Sequence, residues 1–271
     1  AINGRADINE DTKKRILAAA KTYGYRDVAP TNQSEVSEQI GIIIFDLGND
    51  YFANLITETE QILRDNGYCA AVMMTHYDKK REIECIRNMY NMGVKGIILC
   101  SVGSGAEFEN YLKLFDIPIV AVGNDTGLLP YVGINDREAM RDMVEEVISE
   151  GYKKLVYFSP PLKYENAFAQ QRRYAGFSDA ARGTDFEVVT DDENLTAVIC
   201  STDYYAMRAY FKVGSAKVVG FDNLQSIKKF RLNIDSVGYS MKKIAESALD
   251  IIFGKKRNGR IIPHFIEKHK F

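Results

Sequence analysis

The chain has 271 residues, 46% of them hydrophobic, enough to bury one large core or two moderate ones. Its 35 basic and 37 acidic side chains leave a net charge of −2, without the Lys/Arg excess of a general polyanion binder. No run approaches 18 uninterrupted apolar residues and the N-terminus lacks the order of a signal peptide, so no membrane partner is expected.

The first predicted element is a short helix. Asn9 can cap it, Glu10 and Asp11 sit in its first turn at the positive end of the dipole, and Ile16, Leu17, Ala20 and Tyr23 recur at helical spacing before Gly24 stops it. A helix of that length is marginal alone in water, so it should belong to a small helical unit. Residues 28–39, VAPTNQSEVSEQ, are polar, contain Pro30 and read as a linker.

From Ile40 the pattern alternates strand and helix. Gly41 to Phe45, Val94 to Cys100 and Ile117 to Val122 are apolar throughout, as strands of a parallel sheet covered on both faces are. Helical patterns over 52–66, 79–92 and 137–150 each end at a glycine. A second set has strands near 154–158, 196–200 and 217–221 and helices near 170–182, 203–212 and 240–253. The fold class is therefore α/β with two doubly wound lobes, the first over 40–151 plus 239–258 and the second over 152–238 plus 259–271.

Cys69, Cys85, Cys100 and Cys200 have no Cys-x-x-Cys spacing and three lie in apolar runs, so they read as reduced thiols of a cytoplasmic protein. His76, His264 and His269 are far apart, so no metal site is expected, and no cofactor motif is present. Ligands of open α/β sheets bind beyond the carboxyl ends of strands. Those positions hold Asp46 to Phe52 (DLGNDYF), Asn124-Asp125, Asn135-Asp136, Ser159-Pro160, Ser201-Thr202-Asp203 and Asp222-Asn223. Polar groups beside Tyr51 and Phe52 suit a sugar, which has hydroxyls on its rim and an apolar C–H face. Each Asp or Asn reads equally as the cap of the next helix.

Two groups of motifs resemble the LacI/GalR family of regulators. In the first 27 residues, Ile2-Asn3-Gly4, Ile8-Asn9, Thr12, Arg15-Ile16 and Gly24-Tyr25-Arg26 resemble the tail of the family's helix-turn-helix headpiece. The resemblance implies that residues 1–27 are a partial all-α headpiece whose first two helices precede residue 1. Residues 1–38 carry six basic and six acidic side chains, so they lack the basic footprint of a complete DNA-binding domain. Over 40–258, Asn49-Asp50-Tyr51-Phe52, Ile117-Pro118-Ile119-Val120, Val132 with Asp136, Arg173 to Phe177, Thr196 to Cys200 with Asp203 and Ala206, and Val219 to Asn223 resemble the family's core motifs in order.

The resemblance implies two Rossmann-like lobes of periplasmic-binding-protein type I. It places Arg173 and Asp222 in an effector pocket with Tyr51, Phe52, Asp136 and Thr202. Asp46, Asp203 and Tyr239 complete the candidate set. Thr202 stands where Asn is usual and Tyr239 where Gln is common, so effector identity is not transferable. Gln33 to Val36 replace the usual Ala-x-x-Leu of the hinge helix. The second lobe is short, with 19 residues between Gly176 and Thr196, where the family has a further helix and longer loops.

The expected function is a transcriptional regulator, a repressor, that binds a small sugar or sugar derivative, contacts operator DNA through its complete headpiece and forms a homodimer. The dimer is expected through the first lobe, where Phe52, Leu55, Ile56, Ile83, Ile86, Met89, Tyr90 and Met92 exceed what one sheet face needs. The alternatives are a stand-alone sugar-binding protein of periplasmic type and, with no Gly-x-Ser-x-Gly, Walker or Gly-x-Gly-x-x-Gly motif to support it, a sugar-processing enzyme.

Overall fold

A computed structural model describes residues 9–22, 38–159, 167–189, 198–214 and 216–271, which belong to two compact units, Ala1–Ser37 and Glu38–Phe271. In the first unit, helix α1 (Glu10–Thr22) begins where the sequence places it, and the Asn9 side chain accepts the Asp11 amide at 2.8 Å. The expected stop at Gly24 and the linker up to residue 37 lie outside the described residues. Gln39, expected to end the linker, instead opens the first strand.

In the second unit the chain runs β1 (Gln39–Ile44), α2 (Asp50–Asp65), β2 (Cys69–Met74), α3 (Lys79–Asn91), β3 (Ile97–Leu99), α4 (Ala106–Leu112), β4 (Ile119–Val122) and β5 (Tyr131–Gly133). It continues through α5 (Asp136–Ser149), β6 (Lys154–Phe158), α6 (Phe168–Ala180), β7 (Asp185–Val189), β8 (Val198–Cys200), α7 (Asp203–Tyr210), β9 (Val218–Phe221) and α8 (Gln225–Lys229). It closes with β10 (Ile234–Tyr239), α9 (Met241–Ile252), β11 (Arg260–Ile261) and β12 (His264–Glu267).

Two six-stranded sheets result, ordered β11-β5-β4-β3-β1-β2 and β12-β10-β9-β8-β6-β7, with every pairing parallel except β10 with β12. The period of two sorts side chains to either face. Ile40, Ile42 and Ile44 of β1 face α2 and α9, whereas Ile43 joins Ile86 and Met89 of α3. In the second sheet, Leu155 and Tyr157 pack under α5 and α6, while Phe158 and Val198 pack with α7 and α8 residues.

The chain changes sheet at different points from those the sequence indicates. Helix α5, expected in the first lobe, packs on α6, β10 and β12 of the second sheet. Its Gly176-facing backbone explains the fit: a methyl on Gly176 of α6 would run into the Arg137 carbonyl oxygen. Tyr239, expected in the first lobe, ends β10 in the second sheet and pairs with His264. Arg260–Ile261, expected in the second, adds β11 to the first sheet through Val132 and Gly133. The three crossings therefore follow β5, β10 and β11, because the hydrogen-bonding edge each segment reaches, and not its distance along the chain, decides its lobe.

Much of the apolar surplus on α2 and α3 is used internally. Phe52, Leu55, Ile86 and Met89 are buried, Ile56 and Ile83 pack against the cores, and the large exposed side chains left there are Tyr90 and Met92. Cys85, Cys100 and Cys200 are buried thiols, but Cys69, on the edge strand β2, is exposed. The segment where the second lobe is short, 190–197, lies outside the described residues.

Candidate ligand-binding site

The carboxyl ends of both sheets open onto a cleft of about 600 Å³, counting the space at its mouth. Phe45, Asn49, Tyr51, Phe52, Tyr77 and Asn124 line it from the first sheet, and Gln170, Arg173, Thr202 and Asp222 from the second. Phe45 is the hub of the first wall: its ring centroid lies 5.1 Å from Phe52 and 4.8 Å from Tyr77. Tyr77 reaches this position because His76 and Tyr77 both adopt left-handed backbone (φ 51° and 62°) at the turn from β2 into α3. The walls are tied directly, since Asn124 donates to the Ser101 carbonyl at 3.2 Å and accepts the Ala169 amide at 3.1 Å.

The second wall centres on Arg173, 7% exposed, which α6 aims at the ends of β8 and β9. Its Nε donates to Asp136 Oδ1 at 2.8 Å, and its terminal nitrogens donate to the Ser201 carbonyl at 2.9 Å and to Asp222 Oδ1 at 3.3 Å. Tyr239 donates to the same Asp222 oxygen at 2.8 Å. The guanidinium also lies 3.7 Å from the centroid of the Phe221 ring. Burial opposes the charge on Arg173, but Asp222 and Asp136 override it and raise its pKa. Burial raises both carboxyls as well, Asp136 to about 6, with Arg173 pulling against the shift.

The Gly220-Phe221-Asp222 motif has a physical reading. A side chain on Gly220 would strike the Asp203 carboxylate; Phe221 lies under Arg173; and Asp222, with φ +103° and followed by Asn223 at +48°, turns its carboxylate into the cleft. Such backbone persists only where its surroundings hold it. Asp203 does the holding: its oxygens accept the Leu224 amide at 2.7 Å and the Ser236 hydroxyl at 2.7 Å, and Ser236 in turn accepts the Asn223 amide at 2.9 Å.

Of the candidate residues, Tyr51, Phe52, Arg173, Thr202 and Asp222 line the cleft; Asp136 and Tyr239 line a small cavity behind Arg173. Asp203 is fully buried beneath the wall, and Asp46 closes a turn by accepting the Gly48 amide at 2.7 Å; neither lines the cleft. The capping alternative holds for Asn49 and Asn135, which cap α2 and α5. Phe45, Tyr77 and Gln170 were not singled out from sequence. Phe45 ends the first apolar run and its signal was present; Tyr77 follows a strand whose half-exposed pattern hid it.

Thr202 and Gln170 carry the most telling chemistry. The Thr202 hydroxyl and Gln170 Oε1 are buried with no hydrogen-bond partner, although Thr202 stands at the N-cap of α7. Buried polar atoms are nearly always satisfied; of the eight such orphaned side-chain atoms among the described residues, these are the two that line the cleft, where a ligand would supply their partners. Among the described residues, no cluster of His, Cys, Asp or Glu could hold a metal ion, and no helix is long and apolar enough to cross a membrane.

Comparison with known proteins agrees with this architecture. The family model for periplasmic binding proteins and the sugar binding domain of the LacI family matches residues 37–198. Catabolite control protein A of Priestia megaterium is 25% identical over 283 residues, covering 93% of this chain and 85% of that protein. The HTH-type transcriptional regulator RegA of Clostridium acetobutylicum is 27% identical over 290 residues, covering 92% and 85%. Among solved structures, the Cra transcriptional dual regulator of Pseudomonas putida, in complex with fructose 1-phosphate, superposes with a TM-score of 0.73 at 15% identity, covering 87% of this chain and 100% of that one. A periplasmic binding protein/LacI transcriptional regulator from Alkaliphilus metalliredigens, complexed with D-xylulofuranose, gives 0.72 at 22% identity, covering 86% and 98%. The family match spans more than half of the sequence, and this chain belongs to the family of periplasmic binding proteins and LacI-type sugar-binding domains.

Proposed function

We propose that the chain is a DNA-binding transcriptional regulator, acting as a repressor, whose two-lobed core binds a small sugar or sugar derivative. The observation that carries this reading is the pair of orphaned buried groups, Thr202 Oγ1 and Gln170 Oε1, opposite the Phe45–Phe52–Tyr77 rings. Ring faces take the apolar face of a pyranose or furanose, and the orphans take its hydroxyls. The residues assigned to the effector are Tyr51, Phe52, Arg173, Thr202 and Asp222, with Asp136 and Tyr239 holding Arg173 and Asp222 in place.

Because the cleft walls belong to different sheets, a ligand touching both favours one angle between them, and the mechanism is a population shift. Effectors of this kind couple by about 1–3 kcal/mol, enough to change operator occupancy several-fold to a hundredfold. Operator DNA is read by a complete headpiece, of which α1 is one helix, and a two-fold operator requires a homodimer. The protein is cytoplasmic and binds without catalysing a reaction, as its regulator relatives support.

Isothermal titration against a panel of free and phosphorylated sugars tests the reading, together with light scattering at micromolar concentration. Saturable binding that leaves the sugar chemically unchanged, by a dimer, is the expected result. Turnover of the sugar, or a monomer, would overturn it.

A further inference from the structure

The charged groups that reach the cleft are bonded to one another, whereas two uncharged ones are not. Among the described residues lining it, Arg173 is the one cation, and three of its N–H donors are already committed to Asp136, the Ser201 carbonyl and Asp222. Asp222 Oδ1 accepts from both Arg173 and Tyr239. Counting Arg173 against Asp136 and Asp222, the buried network carries one negative charge in excess. Burial raises the pKa values of both carboxyls, and Arg173 works against that rise in each. The next cation along α6, Arg172, is exposed, sits over the Phe168 ring at 5.8 Å and does not line the cleft. The buried lining atoms without a hydrogen-bond partner are the Thr202 hydroxyl and Gln170 Oε1, both neutral.

We propose that the ligand of this cleft is an uncharged polyhydroxy compound, a free sugar, and that a phosphate on the same sugar is rejected. The proposal rests on the sugar-binding reading above and sharpens its ligand class. A phosphate monoester brings about −1.5 to −2 charges at neutral pH. Placed here, it meets a network already negative, and among the described residues lining the cleft the cation it can take is Arg173, drawn from its carboxylates. Either Asp136 or Asp222 is then left buried without its partner, and a stranded buried charge of that kind weakens binding by at least ~30-fold. Hydroxyls ask for no such exchange. They complete Thr202 and Gln170, carry no charge to be balanced, and leave the Arg173 ion pairs as they stand.

The test titrates the intact chain with matched pairs: glucose and glucose 6-phosphate, ribose and ribose 5-phosphate, fructose and fructose 1-phosphate, with further aldoses, ketoses and disaccharides in free form. At least one free sugar should bind, its ester at least ~30-fold more weakly. In Gln170→Lys, which puts an uncommitted cation on the wall, that gap should narrow by about tenfold, a difference of about 1.4 kcal/mol. An ester that binds as tightly as its free sugar, or an unchanged gap in Gln170→Lys, overturns the charge argument while leaving the sugar reading standing. A panel in which neither form of any sugar binds overturns the sugar reading and this inference with it.

Discussion

Both walls of the cleft are made from loops that follow parallel strands, yet they offer a ligand different things. The first-sheet wall presents rings, Phe45, Phe52 and Tyr77, packed on one another. Rings accept any flat apolar face in several orientations. The second-sheet wall presents directed hydrogen bonds around Arg173 and Asp222, and it keeps a non-glycine residue at φ +103° to do so. On the proposed sugar reading, the difference teaches that burial area and selectivity are supplied from opposite sides: the first wall provides contact, and the second decides what fits.

The sharpest way to break this comparison is to remove the centre of the polar wall. Arg173→Ala leaves Asp136 and Asp222 buried without their cation, which should cost about 3–5 kcal/mol of stability at pH 7 by urea unfolding. Both carboxyls already have raised pKa values, so the deficit should shrink as the pH falls toward 5 and they take up protons. A loss below about 1 kcal/mol would mean that the wall behaves like a surface ion pair, not as a buried network.

Behind the aromatic wall lies a single buried acid that gives the comparison a second handle. Glu82 of α3 accepts the amides of Val102 and Gly103 at 3.1 and 2.8 Å, and burial pushes its pKa from 4.5 up to about 7. An acid whose pKa rises on folding stabilises most while protonated in both states. Its contribution is therefore full below pH 4.5 and lost as the pH climbs through about 7. Glu82→Gln keeps an acceptor but no charge, so it should gain about 1–3 kcal/mol on the wild type between pH 5 and pH 8. Parallel stability profiles across that range would show that Glu82 is not held against its ionisation.

The smallest effect concerns the link between the walls. Asn124→Ala removes the bonds to Ser101 and Ala169 and should cost about 0.5–1.5 kcal/mol by the same unfolding measurement. Because this bond joins the two sheets, sugar affinity should change along with stability. An unaltered affinity would mean that the walls are held together elsewhere.

The long βα rhythm is legible because strands buried on both faces, such as β1, β4 and β6, are largely apolar, and because α2, α3 and α5 stop at Gly67, Gly93 and Gly151. Strands that break this rule were hidden. In β10, Asp235 and Ser236 are buried yet polar, and only the fold reveals their partners, Lys217 and the His269 amide for the first and Asp203 for the second. β2 lies at a sheet edge and is half exposed, so its pattern carries no contrast. The site divided in the same way. Arg173, Asp222, Tyr51, Phe52 and Thr202 could be picked out because strand ends and family motifs mark them. Asp203 is marked as well, but a motif does not say whether an acid faces the cleft or props up the residue that does. Tyr77 and Gln170 depend on a turn geometry and a helix rotation that no local pattern encodes.

The largest hydrophobic cluster does not respect the division into two sheets. Ile40, Ile42 and Ile44 under α9 and Tyr157, Phe177, Phe221 and Val237 under α6 belong to one uninterrupted cluster. Loosening either sheet strips apolar cover from the other, so heating should melt them together, with equal calorimetric and van't Hoff enthalpies over Glu38–Phe271. A substitution deep in one lobe then lowers the melting point of the other by the same amount. Under the proposed shift of angle between lobes, rotation has to proceed by sliding within a shared core, and the two halves gain their freedom to turn without gaining the freedom to unfold apart.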